Sequence, residues 1–249
     1  MAHSARNRVP SESISQVLSP TPAPTQRHTP VRVAIFGDSQ ATALYETRPR
    51  SVSKYLTLSD ESISACGILG GKVVSSSGES FNLTGACPYW LSHWHDDAMK
   101  AKADIALVVV GAWDVFNVKM STKTLVFGTQ DWDSTFLTTM RSGLQAIGES
   151  GAQIALAELP CYRPRTTNPR PPGYWPERGD DSRTRHVNDL LGQLADGVHV
   201  FTVKPPTAFC DNPSIGDNHR YRYDGVHYLQ PGAQLYFDAI IPQLLALPS

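Results

Sequence analysis

Four short apolar, β-rich runs, each followed further along by a stretch of helix length, constrain this chain more than any other feature. The runs are VRVAIF (31–36), ADIALVVVG (103–111), AQIALAEL (152–159) and VHVFTV (198–203). Helix-favouring segments follow as QATALYE (40–46), roughly 131–150, RTRHVNDLLGQLA (183–195) and PGAQLYFDAIIPQLL (231–245), the last with Pro231 in its first turn. Strands that are apolar throughout are buried on both faces, which requires parallel pairing, right-handed crossovers and helices on either side. The pattern predicts a three-layer α/β/α sandwich with a mostly parallel sheet over residues 30–249. Ahead of it, residues 1–29 are rich in Pro, Ser and Thr, have little to bury, and read as a disordered linker. Two segments fit poorly as elements, 160–181 with six prolines and 204–223 with Pro205, Pro206 and Pro213. Loops of that length are functional or disordered.

The charge balance removes several function classes. Lys and Arg number 22 against 23 Asp and Glu, a formal charge of -1, which leaves no basic excess for a phosphate backbone and no acidic field for cations. Nucleic acid is therefore not an expected partner. The longest apolar run, Ala103 to Trp113, is broken by Asp104 and is far shorter than the roughly 20 residues that cross a bilayer. The 4 cysteines, Cys66, Cys87, Cys161 and Cys210, contain no CxxC pair of the zinc-ribbon or thioredoxin kind. Two disulfides and four thiols both remain open. Pairing sequence neighbours, Cys66 with Cys87 and Cys161 with Cys210, brackets a loop near the sheet's carboxyl end in each case, and each bridge contributes roughly 3–4 kcal/mol in the chain-entropy account. The start, MAHSARNRVPSES, has no apolar signal-peptide core. Either the thiols are reduced in a cytosol, or an upstream segment not in this chain provides export.

Ligands of open α/β sheets bind beyond the carboxyl ends of the strands. The first such turn is Gly37-Asp38-Ser39, which sets a serine at a helix start where free N–H groups favour negative charge. Alone it reads equally as a capping serine. Near the other end, Asp224-Gly225-Val226-His227 precedes the last helix, and one turn can hold both the acid and the imidazole. Asp224 then fixes the tautomer of His227, whose other nitrogen takes a proton from Ser39.

These blocks, in this order over residues 31–246, resemble the SGNH hydrolases, also called the GDSL esterase family. The resemblance implies Ser39 as nucleophile, His227 as general base and Asp224 as the acid that orients it. It implies an oxyanion hole from the N–H groups of Ser39 and Gly67, the latter in SACGILGG with Gly70 and Gly71 as rivals. The third block departs from the family's Gly-x-Asn-Asp: Gly111-Ala112-Trp113-Asp114 carries Trp at the place of the oxyanion-hole Asn. Losing one such donor costs about a hundredfold or more in turnover unless another group compensates. Trp113 has an indole N–H, and Asn117 lies four residues on; the plainer alternative makes Trp113 a core plug and Asp114 a cap. Asp38, Trp113 and Asp114 are thus site-shaping candidates.

Gly-x-Trp followed by an acid, with paired flanking cysteines, looks like the SGNH domains fused behind the membrane-embedded acyltransferase-three proteins of bacteria. That resemblance implies an extracytoplasmic domain, a membrane-embedded acyltransferase partner in a longer protein, and O-acylation or deacylation of cell-envelope carbohydrate, on an acylated carbohydrate or glycolipid substrate, through an acyl-serine, with no cofactor. Two rivals stand beside it: a free-standing carbohydrate esterase or lipase, and a non-catalytic carbohydrate-binding module, motivated by Trp113. His93 and His95 flank Trp94 without a further obvious ligand, so no metal is expected. Trp90, Trp94, Trp132, Tyr174, Trp175, Tyr221 and Tyr223 include candidates for sugar stacking, and Arg163, Arg165 and Arg170 for meeting anionic groups.

Overall fold

The computed structural model describes residues 29–165 and 175–248. The expected linker, apart from its last residue, and Tyr174 and Arg170 lie outside the described residues. Five strands, β1 (Val31–Gly37), β2 (Leu56–Ser62), β5 (Ile105–Val109), β8 (Gln153–Ala157) and β9 (Val200–Val203), form one sheet in the order β2-β1-β5-β8-β9. Every pairing in it is parallel. Helices α1 (Ser39–Thr47) and α8 (Gln230–Leu245) cover one face, while α3 (Trp90–Ala101), α4 (Gln130–Gly148) and α5 (Asp181–Gly192) cover the other. The three-layer expectation holds.

Alternate strand residues sort to the two layers. Val33, Ile35, Leu107 and Ala155 pack with Leu44, Tyr236, Phe237 and Ile240 of α1 and α8. Ala34, Phe36, Val108 and Leu156 pack with Trp94, Trp132, Phe136 and Met140 of α3 and α4. This continuous burial on both faces is what the unalternated apolar runs require.

Three features differ from the sequence reading. Strand β2, LTLSDES, is an edge strand buried fully only at Leu56, so it lacks an apolar run. A second, antiparallel sheet of four very short strands, β3 (Lys72–Val74), β4 (Ser80–Asn82), β6 (Asn117–Lys119) and β7 (Thr124–Leu125), lies in order β4-β3-β6-β7 beside the main core. The segment 204–223 is not all loop: it contains the one-turn helices α6 (Ala208–Asp211) and α7 (Pro213–Gly216). The remaining short helix, α2 (Leu83–Ala86), follows β4.

Both disulfides form as expected, Cys66–Cys87 and Cys161–Cys210. The first ties the loop after β2 to the end of α2. The second ties the exit of β8 to α6. No helix among the described residues is long and apolar enough to cross a membrane.

Candidate active site

The chain leaves β1 through Gly37, whose φ of 140° and position against β5 exclude a side chain: a Cβ there would stand 1.8 Å from the Val109 carbonyl oxygen. Asp38 follows and caps α1, its Oδ1 accepting from Gln40 N–H at 2.8 Å. The cap is thus Asp38 rather than Ser39. Ser39 is freed to stand at the first helical position, where its N–H has no intrahelical acceptor.

The second half of the site comes from the segment before α8. Tyr223 N–H donates to the His227 carbonyl at 3.2 Å, and Arg222 and Tyr228 form an isolated antiparallel bridge, so Asp224-Gly225-Val226 is a tight turn. Gly225, at φ 81°, lies directly against the Arg163 carbonyl, which a Cβ would meet at 1.5 Å. Arg163 N–H and Arg165 N–H donate to the carbonyls of Gly225 and Asp224 at 2.9 and 3.1 Å. The loop bearing the Cys161 disulfide therefore props the turn from behind. Buried Arg222 completes the support, donating to the Cys161 carbonyl at 2.6 Å and the Gly216 carbonyl at 3.2 Å.

The structure brings Ser39, His227 and Asp224 together. Ser39 Oγ is 2.7 Å from His227 Nε2, and His227 Nδ1 is 2.6 Å from Asp224 Oδ2. Asp224 Oδ1 also accepts from the backbone N–H groups of Val226 and His227 at 2.9 and 2.7 Å. Partial burial works against ionisation of Asp224, but the hydrogen bond and charge of His227 and these two N–H groups outweigh it and hold the carboxyl at about 2. An ionised acid on Nδ1 leaves Nε2 to accept the Ser39 proton. The Tyr223 ring stacks on His227 at 5.7 Å with its outer face in solvent.

Gly67 sits in the loop that Asp114 holds. Asp114 Oδ1 accepts from Ile68 N–H at 2.9 Å, and no helix begins at Asp114, so of its two readings the cap gives way and Asp114 is a loop anchor. The rivals Gly70 and Gly71 spend their N–H groups inside the protein, on the Gly67 carbonyl at 3.3 Å and Thr84 Oγ1 at 2.7 Å. Gly67 also abuts Trp113, whose Cβ would stand 2.9 Å from an added methyl. Trp113 is a buried plug, stacked on Phe81 at 4.9 Å and edge-on to Trp175 at 5.4 Å. Asn117 is held in β6, and its Oδ1 accepts from Phe127 N–H at 2.9 Å.

Two buried carboxyls lie behind this arrangement. Burial raises Asp38 to about 6 despite backbone bonds from Gln40 and Ala112 and the charges of Arg178 and His227. Burial, then the charge of Asp38, raises Asp114 to about 7. One oxygen of each carboxyl has no hydrogen-bond partner among the described residues.

Other sequence candidates fall elsewhere. Trp94, Trp132 and Trp175 are core residues, Trp90 and Tyr221 are partly buried, and Tyr223 alone of the described stacking candidates is exposed. Arg163 is committed to Asp181 and Asp217. His95 pairs with Asp96 and Glu149, and no cluster fit to hold a metal occurs among the described residues. The sequence reading missed Arg178, a buried arginine whose Nε donates to the Ala112 carbonyl at 2.6 Å.

No protein-family model matches the chain, and no curated protein matches it. Solved structures do. A candidate acylhydrolase from Bacteroides fragilis superposes with a TM-score of 0.56 at 14% identity, covering 87% of this chain and 91% of that one. A GDSL-like lipase from Bacteroides thetaiotaomicron gives 0.52 at 14% identity over 86% and 88%. A catalytic mutant of an acetylxylan esterase from Geobacillus stearothermophilus gives 0.50 at 13% identity over 87% and 94%. The fold is that of the SGNH-type α/β hydrolases, and at these identities the likeness is one of fold.

Proposed function

We propose that this chain is an SGNH-type serine enzyme that moves acyl groups on cell-envelope carbohydrate through an acyl-serine intermediate. The observation that carries the reading is the continuous hydrogen-bonded series Ser39, His227, Asp224 at the carboxyl end of the parallel sheet. Ser39 Oγ adds to the ester carbonyl while its proton passes to His227 Nε2. The carbonyl oxygen becomes an oxyanion facing the N–H groups of Ser39 and Gly67. Collapse restores the carbonyl, breaks the bond to the alcohol, and returns the proton to the leaving oxygen. A sugar hydroxyl or water then gives its proton to His227 and takes the acyl group by the reverse sequence.

The two disulfides support a place in an oxidising compartment outside the cytoplasmic membrane, and the resemblance of the Gly111-Ala112-Trp113-Asp114 block with its paired cysteines supports a membrane-embedded acyltransferase as the partner that presents the acyl group. A second reading, a free-standing esterase, is favoured by the fold neighbours, which include an acetylxylan esterase and a GDSL-like lipase. Acyl-enzyme decay followed by mass spectrometry separates the two. Transfer predicts slow decay in water and acceleration by an acceptor glycan; fast decay that no acceptor changes supports the esterase.

A further inference from the structure

Arg178 is a buried cation packed on Trp113 whose function the relay does not explain. It comes from the 3-10 turn Pro176–Gly179 and is 6% exposed. Its guanidinium carbon lies 4.1 Å from the centre of the Trp113 ring and 5.7 and 5.8 Å from those of Phe116 and Trp175. Arg32 and Arg163 pair with Asp104 and Asp181, whereas Arg178 makes no ion pair among the described residues. The adjacent Glu177 is bound to Ser75 Oγ at 2.7 Å and to Ser76 N–H at 2.5 Å. The anions that feel the charge of Arg178 include Asp38, next to the nucleophile, and Asp224, behind the base.

A guanidinium remains charged in any protein setting, and a buried charge without a direct counter-ion is costly. Aromatic faces offset part of that cost. What remains is a positive field lodged over the residue that stands where the family pattern has its third oxyanion donor. Trp113 borders Gly67, and Arg178 grips the preceding Ala112 carbonyl, so the cation and the Gly67 loop flank one short segment.

We propose that Arg178 replaces the missing side-chain donor: its guanidinium supplies the positive charge that stabilises the oxyanion formed when Ser39 adds to a carbonyl. This rests on the acyl-serine reading above. As Ser39 Oγ bonds to carbon, the carbonyl electron pair moves to oxygen, and Arg178 attracts that new charge without touching the neutral ester beforehand. Its action therefore falls on the chemical step and not on substrate binding.

The experiment compares Arg178→Met with Arg178→Lys, side chains of similar length that differ in charge, in the full chain with intact disulfides. The substrate is a neutral p-nitrophenyl ester, and phenylboronic acid is the inhibitor, because its tetrahedral adduct on Ser39 is anionic. Arg178→Met is expected to lose about a hundredfold in kcat with KM within about threefold, and to weaken phenylboronic acid by a similar factor. Arg178→Lys is expected to recover at least about tenfold of both effects. Equal kcat and equal inhibition in the Met and Lys variants, at equal melting temperature, would overturn the proposal and leave Arg178 a structural clamp on Ala112. Should the Met variant not fold, the Lys variant decides: it lacks the planar fork but keeps the charge, so a loss of more than about tenfold in kcat would refute the charge mechanism, and a loss within about tenfold supports it. Ser39→Ala distinguishes the premise from the proposal, since retained activity there removes the acyl-serine reading whatever Arg178 does.

Discussion

Replacing Asp114 by Asn should stabilise the protein at alkaline pH and flatten its pH dependence. Asp114 is buried, accepts from Ile68 N–H through Oδ1, and leaves Oδ2 without a partner among the described residues. An unfolded aspartate ionises near 3.8, whereas burial and the charge of Asp38 hold this one protonated to about 7. Between about pH 4 and pH 7 the folded state therefore binds more protons than the unfolded one, and stability falls as pH rises through that interval. Above it the full difference is lost, about 4 kcal/mol for a shift of this size. Asparagine keeps the acceptor for Ile68 and never ionises. Asp114→Asn should gain about 2–4 kcal/mol over wild type at pH 8.5 and differ little at pH 4.5. Urea denaturation of both proteins at the two pH values tests this, with the slope against denaturant checked for constancy. Equal pH dependence in wild type and variant, or a variant destabilised at pH 8.5, would refute the claim that a buried carboxyl is ionised there at the expense of the fold.

Asp224→Asn should leave the fold intact and reduce kcat by several orders of magnitude, though less than removing His227, because it spoils the tautomer without removing the base; steady-state turnover of an activated ester measures it. The same acid has its folded value depressed to about 2, so its stabilising contribution is present above about pH 4 and fades as pH falls toward 2, which acid denaturation of wild type against Asp224→Asn would register. Gly225→Ala forces a Cβ into the Arg163 carbonyl at a positive φ and should cost about 3 kcal/mol or more together with most activity, read by thermal melting and turnover. Opening Cys161–Cys210 by a double Cys→Ala change should cost about 2–5 kcal/mol, and kcat should fall more than melting alone accounts for, because that bridge props the Asp224 turn.

Burial on both faces made the fold legible. VAIF (33–36) and IALVV (105–109) are apolar without interruption because helices cover each side, and such runs separated by helix lengths admit few topologies. β2 escaped because it lies at the sheet edge, where LTLSDES meets solvent along most of its length. The strands of the small sheet are two or three residues long, too short to establish a period. Ser39, Asp224 and His227 were readable because each sits in a local turn with its own sequence pattern. Arg178 was not: its partner Ala112 is 66 residues away, and an arginine in a proline-rich segment has the look of a solvated one. For the same reason the anchoring role of Asp114 was not legible, since the loop it holds lies 46 residues earlier in the chain.

Acyl transfer by this chain requires Ser39 to be an activated nucleophile, and covalent labelling measures that directly. The full chain is treated with a fluorophosphonate at neutral pH, and adducts are counted by intact mass and mapped by peptide sequencing, with Ser39→Ala in parallel. One adduct per chain, carried on Ser39, absent from Ser39→Ala and strongly slowed in a His227→Ala variant, is the predicted result. A native, disulfide-intact protein that takes up no label, or takes it up equally well without Ser39 or His227, would contradict the account and leave a carbohydrate-binding module built on a hydrolase fold.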